Sequence, residues 1–220
     1  SADRRGLASA DERGEAPPSS GVQLVMKLSR LAASVPGAHL IGAALTDGKH
    51  DVMLFSDGGK AVRFDENDVR PMGRTARGVR GMMLDEGQRV IAMLVAEDEL
   101  QSVLTATENG FGKRTSIAEY TRHGRGTKGM IAIQQSERNG KVVAATLVHA
   151  DDEIMLITDT GVLVRTRVSE IRELGRATQG VTLIGLDDGA HLIGLQRIVE
   201  NDAGDATDAP LDDAADPQAT

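Results

Sequence analysis

The chain has 220 residues, 40% hydrophobic and 26% charged, enough for one sizeable domain or two small ones. Its formal charge is −8, aromatic residues are only 2%, and tryptophan and cysteine are absent; this excludes a disulfide framework, a thiolate metal site, a cysteine nucleophile and an aromatic stacking platform for single-stranded nucleic acid. The longest apolar runs, such as 90–96, are far below the roughly 18 residues of a membrane-spanning helix, and the N-terminus reads as polar, without a signal-peptide core.

Taken in chain order, residues 1–21, which include Ala16-Pro17-Pro18-Ser19-Ser20-Gly21, read as a low-complexity arm. Residues 22–28 and 39–45 read as the last two strands of a partial unit ending near 48. Three copies of one pattern follow, over about 49–99, 100–150 and 151–198. Gly59, Gly110 and Gly161 stand 51 residues apart, as do Arg63, Arg114 and Arg165, then Gly73, Gly124 and Gly175, and then Gly78, Gly129 and Gly180. Within each copy a short apolar run (52–55 in the first) leads to a tight turn such as Asp57-Gly58-Gly59 or Asn109-Gly110, whose residues tolerate the positive φ of hairpins. A second strand follows (61–64, 113–116, 162–168), then a Gly-Arg loop, then two more apolar stretches, for example 82–84 and 90–95. Four short strands per ~50 residues is the content of a propeller blade, which buries its faces only against neighbours. The fold expected is all-β: a partial β-propeller of about three complete four-stranded blades plus part of an earlier blade, and so part of a larger ring. Residues 199–220 carry seven acidic groups and no basic ones, and read as a disordered tail, either merely solvating or competing for a basic surface.

The loops carry the candidate chemistry. They read Gly73-Arg74-Thr75-Ala76-Arg77-Gly78-Val79-Arg80, Gly124-Arg125-Gly126-Thr127-Lys128-Gly129 and Gly175-Arg176-Ala177-Thr178-Gln179-Gly180. Glycine lets backbone approach a ligand, and arginine offers forked donors that match phosphate oxygens. Arg74, Arg77, Arg80, Arg122, Arg125, Lys128 and Arg176 are therefore the candidate phosphate contacts: a basic stripe along one rim that follows the backbone of duplex DNA with little sequence preference. The competing reading is turn glycines with solvated arginines. Arg63, Arg114 and Arg165 keep step as well, and either touch DNA or brace the blades.

Other motifs carry less. Gly124-Arg125-Gly126-Thr127-Lys128-Gly129 matches the spacing of a dinucleotide fingerprint, but no helical period follows it. The five histidines show no paired ligand spacing, so no metal is expected. Tyr120 shares its slot with Val69 and Ile171, which points to packing at a strand end.

The repeated loops, the turn Ser56-Asp57-Gly58-Gly59-Lys60 and the run from Met155 through Thr158-Asp159-Thr160-Gly161 to Arg165 resemble the C-terminal domain of the bacterial DNA gyrase A subunit over about residues 39–201. The resemblance implies a six-bladed β-pinwheel, in which neighbouring blades exchange strands, with DNA bent around its basic perimeter. It implies as partners double-stranded DNA, the remainder of the gyrase A subunit, and the gyrase B subunit in an A2B2 complex. The whole would supercoil DNA negatively as a type II topoisomerase in the cytoplasm, associated with the nucleoid, and not at a membrane. ATP and magnesium would be used by the partner subunit, with no cofactor in this chain. The family's Gln-Arg-Arg-Gly-Gly-Lys-Gly box is absent, residues 124–129 being a degenerate echo of it, and the family's DNA-cleaving tyrosine lies in a domain outside this resemblance, so Tyr120 does not inherit that role. Two further readings stand beside this one: the C-terminal domain of the topoisomerase IV counterpart of that subunit, and a protein-interaction propeller that binds no nucleic acid.

Overall fold

The computed structural model describes residues 39–73, 76 and 78–199. The expected arm, the strand expected at 22–28, Arg74, Arg77 and nearly all of the acidic tail lie outside the described residues. Eleven strands are described: β1 (Asp51–Ser56), β2 (Lys60–Asp65), β3 (Val90–Ala96), β4 (Ser102–Thr107), β5 (Phe111–Ser116), β6 (Met130–Ile131), β7 (Val142–Val148), β8 (Glu153–Thr158), β9 (Leu163–Arg167), β10 (Val181–Thr182) and β11 (Leu192–Ile198). No α-helix occurs among these residues; a single 3-10 turn follows the second strand of each repeat.

Each repeat builds an antiparallel core of three strands in which the first is central. β1 lies between β2 and β3, β4 between β5 and β7, and β8 between β9 and β11. The hairpins close at Gly59 (φ 73°) and Gly110 (φ 78°), where a side chain would be strained. Third strands break register against the first near Ser56, Thr107 and Gly194, bulges that raise local twist. β7 packs between β3 and β11, so third strands line the side where the three blades meet.

The fourth strand differs from the sequence expectation in position and in ownership. Residues 82–84 form no strand; Met82 makes only an isolated parallel bridge to Thr127. The short strand comes earlier in the repeat, as β6 and β10, and pairs with the preceding blade: β6 with β2, β10 with β5. The first two sheets thus have four strands, and the third has three among the described residues. The cause is a glycine. Gly129 (φ 74°) and Gly180 (φ 83°) turn the chain out of its own blade, and a Cβ on Gly180 would stand 2.6 Å from the Gly112 carbonyl oxygen, while one on Gly129 would collide with that of Ala61. Residues 39–45 also form no strand, having no pairing partner among the described residues.

This exchange puts the two larger apolar clusters between blades, while a smaller one, Val62, Phe64 and Met82, lies within the first. Met53, Phe55 and Ala61 of the first repeat pack with Val103, Ile117, Tyr120 and Ala145 of the second. Leu104, Ala106 and Val148 pack likewise with Ile154, Leu156, Val168 and Leu192 of the third. Tyr120 is buried, edge-on to Phe55 with ring centroids 6.0 Å apart, and burial pushes its hydroxyl well above the ordinary tyrosine range. It is a packing residue that ends a 3-10 turn. Each such large apolar side chain contributes about 1.5–3 kcal/mol by leaving water.

Gly87 also has positive φ (75°) but open space at its Cβ position. Gly87→Ala therefore costs about 1 kcal/mol of backbone strain, whereas Gly129→Ala, which must also displace the Ala61 backbone, costs about 3 kcal/mol. Urea midpoints of the two variants measure the difference; equal losses would contradict a role for Gly129 in the strand exchange.

Candidate nucleic-acid interface

The second and third Gly-Arg loops run from the 3-10 turns to the exchanged strands, so each of these two lies on the outer edge of the preceding blade. The second loop is fastened there by backbone: His123 N donates to the Arg63 carbonyl (2.8 Å), Met83 N to that of Thr127 (2.8 Å), and Gly126 N to that of Gly81. The third loop repeats the arrangement on the second blade, where Leu174 N donates to the Arg114 carbonyl (2.9 Å) and Thr115 Oγ1 to that of Leu174 (2.8 Å).

The loop arginines then reach sideways. Arg125 Nη1 donates to the carbonyl of Arg80 (3.3 Å), and Arg176 Nη1 donates to the carbonyl of Ile131 (3.0 Å). Arg80 and Ile131 hold the same slot in successive copies, as do Arg125 and Arg176. One contact therefore recurs with the period of the fold and sets loop beside loop along a single rim. Arg125 Nε also donates to the Asp68 carbonyl (3.0 Å), and Arg176 N to Glu119 Oε2 (3.0 Å).

The cations differ in how tightly they are held. Arg80 is exposed. Lys128, 64% exposed, pairs with Asp85 (3.0 Å), which Lys60 also reaches (3.2 Å); the two ammonium groups hold the Asp85 carboxyl below the usual carboxylate range. Arg122, 55% exposed, bridges Asp51 (2.7 Å) and Asp65 (3.3 Å). Arg125 and Arg176 are half-buried.

Arg63 and Arg114 are situated otherwise. Arg63 is buried; its Nε meets Asp51 (2.6 Å), its Nη2 meets Glu99, and its Nη1 donates to the carbonyls of Ile117 (3.0 Å) and Tyr120 (3.2 Å) in the next repeat. Arg114 Nε donates to the Ile171 carbonyl (2.8 Å), the counterpart of Tyr120. Both cross from one blade to the next, which is the geometry of a brace. Arg165 pairs with Glu153 within its own blade.

Lys113 is a functional residue that the sequence pattern does not single out. Its side chain is buried in β5, and its Nζ donates to the carbonyls of Gly175 and Arg176 and to Thr178 Oγ1 (3.1 Å), clasping the third loop from beneath. Burial pushes its ammonium down to about 8, with Arg176 acting in the same direction and Glu119 opposing both. The available signal was a lysine standing where the other copies have Val62 and Val164.

The family described as "DNA gyrase C-terminal domain, beta-propeller" matches residues 50–97, 101–149 and 152–198. The chain belongs to this family. The DNA gyrase A subunit of Pseudomonas aeruginosa is 52% identical over 194 residues, covering 88% of this chain and 20% of that protein. The DNA gyrase A subunit of Escherichia coli K12 is 53% identical over 166 residues, covering 76% of this chain and 19% of that protein. The chain thus spans about a fifth of the length of these curated relatives. Among solved structures, a DNA gyrase A C-terminal domain aligns with TM-score 0.66 at 29% identity, covering 70% of this chain and 53% of that one. A DNA topoisomerase IV C-terminal domain aligns with TM-score 0.67 at 25% identity, covering 70% and 48%. The exchanged strands β6 and β10 and the bracing Arg63 and Arg114 all lie within the matched residues.

Two substitutions test the fastening. Arg63→Met strips one partner from buried Asp51 and two interblade carbonyls, and lowers unfolding stability by about 3 kcal/mol. Lys113→Met leaves the third-loop carbonyls without their donor, at about 1–3 kcal/mol. Because the folded Lys113 pKa lies below its unfolded value of 10.5, the unfolded chain binds more protons between about 8 and 10.5. Stability of the parent relative to Lys113→Met should therefore rise with pH across that window, read by denaturant unfolding at pH 7.5 and pH 10.

Proposed function

We propose that this chain is the DNA-binding, wrapping part of a gyrase A polypeptide and is not itself catalytic. Its loop rim takes the phosphate backbone of duplex DNA and curves it. The remainder of the gyrase A polypeptide, with the gyrase B polypeptide in an A2B2 complex, passes one duplex through another using ATP and magnesium held by gyrase B, and the product is negatively supercoiled DNA. The working location is the bacterial cytoplasm, at the nucleoid; no described helix is long and apolar enough to cross a membrane.

The observation that carries this reading is the recurring arginine-to-carbonyl contact between neighbouring loops, from Arg125 to Arg80 and from Arg176 to Ile131. It anchors an arginine of each later loop on the backbone of the preceding repeat, which supports a continuous phosphate track. The contacts proposed are Arg80, Arg122, Arg125, Lys128 and Arg176, together with Arg74 and Arg77 of the first loop. Lys128 would exchange its carboxylate partner for phosphate. The exposed Lys128–Asp85 pair is worth only about 0–1 kcal/mol, so its exchange costs little; Arg122 keeps its pair with buried Asp51 through Nε and Nη2 and offers phosphate the Nη1 edge that faces the more exposed Asp65. Arg63 and Arg114 are assigned to bracing.

If about six phosphates are neutralised, log K for duplex DNA falls against log salt with a slope of about −5. Arg74→Glu, Arg77→Glu and Arg125→Glu combined weaken binding to all sequences alike and flatten that slope. A titration by filter binding checks both. Salt-independent binding, or none at low salt, would instead favour a protein-interaction propeller.

A further inference from the structure

The second and third loops place their lysines differently. In the second loop Arg125 is followed by Lys128, an exposed ammonium, and the strand on which that loop lies, β2, has the buried, apolar Val62. In the third loop the slot of Lys128 is held by Gln179, and the slot of Val62, in β5, by Lys113. Each loop is thus served by an arginine and a lysine, but the lysine of the third lies underneath it. Its side chain is fully buried, and its three N–H donors have three oxygens to meet: the carbonyls of Gly175 and Arg176 and the hydroxyl of Thr178, which itself donates to the Gly175 carbonyl (2.9 Å).

Burying an ammonium is costly, and seating a loop does not require it: the second loop lies on its blade with valine in the same slot. The charged groups that face Lys113 are Glu119, in the 3-10 turn after β5, and Arg176, in the loop itself. Thr105, opposite it on β4, and Val181 and Thr182 of β10 carry no charge. The Tyr120 hydroxyl, pushed well above its ordinary range by burial, stays protonated. Glu119 also accepts from the backbone N of Arg176 (3.0 Å), whose Nη1 is held by the Ile131 carbonyl (3.0 Å). Burial brings the Lys113 ammonium down to about 8, against Glu119 and with Arg176. A phosphate above the loop would act with Glu119.

We propose that Lys113 is a positioning residue for duplex DNA: from beneath the third loop its ammonium holds the Arg176 backbone in place for a phosphate and supplies the second positive charge of that loop. This rests on the reading of the loops as a phosphate track. A charge taken out of water is screened by salt less than the exposed Lys128, and it acts without touching DNA. DNA binding and protonation are then linked. Phosphate favours the ammonium over the neutral amine, so above about pH 8 the bound chain holds more protons than the free one, and affinity falls as pH rises through that range. The chain has no cysteine, and ordinary histidines and lysines titrate below and above this window.

Titration calorimetry of the full chain with duplex DNA, in two buffers of different ionisation enthalpy, tests it. At pH 8.5 the parent should take up a fraction of a proton on binding, and its affinity should fall about fourfold between pH 7.5 and pH 9. Lys113→Met should bind more weakly at pH 7.5 and show neither the uptake nor the fall. Lys113→Arg keeps the charge without titrating, so it should bind as the parent does at pH 7.5 and lose only the pH dependence. Binding by the parent without proton uptake overturns the proposal and leaves the phosphate track standing; so does parental uptake by Lys113→Met. The parent measurement decides alone if a variant fails to fold. A parent that binds no DNA at low salt overturns track and proposal together.

Discussion

The structure depends on one steric fact: a glycine at positive φ lets the chain leave its own sheet and lie against the backbone of the preceding one. At Gly129 and Gly180 a side chain would strike a carbonyl group of that neighbouring strand. From this close approach follow the exchanged strands, the placement of the two larger cores between blades, and the seating of the second and third loops on the edges before them. The two larger apolar clusters span neighbouring blades; Phe55 and Tyr120, which meet edge-on, come from different repeats. Cooperativity between neighbours is built in, as in other repeat architectures.

The cations divide by burial, and burial decides what each can do. Arg63 and Lys113 are buried, Arg63 held by carboxylates of its own repeat and carbonyls of the next and Lys113 by carbonyls and a hydroxyl of the third loop, and releasing them would leave buried polar groups unpaired. Lys128 sits in water against Asp85, where ion pairs are weak and exchangeable, while Arg122, itself exposed, reaches inward to buried Asp51 and outward to Asp65. The same residue types therefore serve as fastenings on one layer of the rim and as an adjustable charge on the next. The acidic partners Asp51, Asp65 and Asp85 temper the rim, which is consistent with a near-neutral body whose cations are concentrated in loops.

Much of this architecture could be read from the sequence, because the repeat period is carried by glycines and arginines that resist substitution for physical reasons. Turn glycines located the hairpins, and apolar runs located β1 and β3 to within a residue or two. The family and the propeller fold followed from the same residues. What the sequence did not disclose was ownership: a two-residue strand has no periodicity of its own, so β6 and β10 were invisible and Met82 and its neighbours were credited in their place. Lys113 escaped notice because one cation in a strand resembles a solvated face until the loop above it is seen. Arg63 and Arg125 are both arginines held in register, and only the fold separates the interblade brace from the arginine that links loops along the rim.

The central claim is that the loops of successive repeats form one continuous track for a duplex. The chain has no native cysteine, so a photo-crosslinker can be attached to single cysteines at Ala76, Thr127 and Ala177, one exposed site in each loop, and at exposed Leu100 on the connection between the first two blades. On this account the three loop positions cross-link efficiently to one bound DNA fragment, at points displaced progressively along it, and Leu100 does not. Cross-linking from a single loop only, or from Leu100 as readily as from the loops, would contradict it.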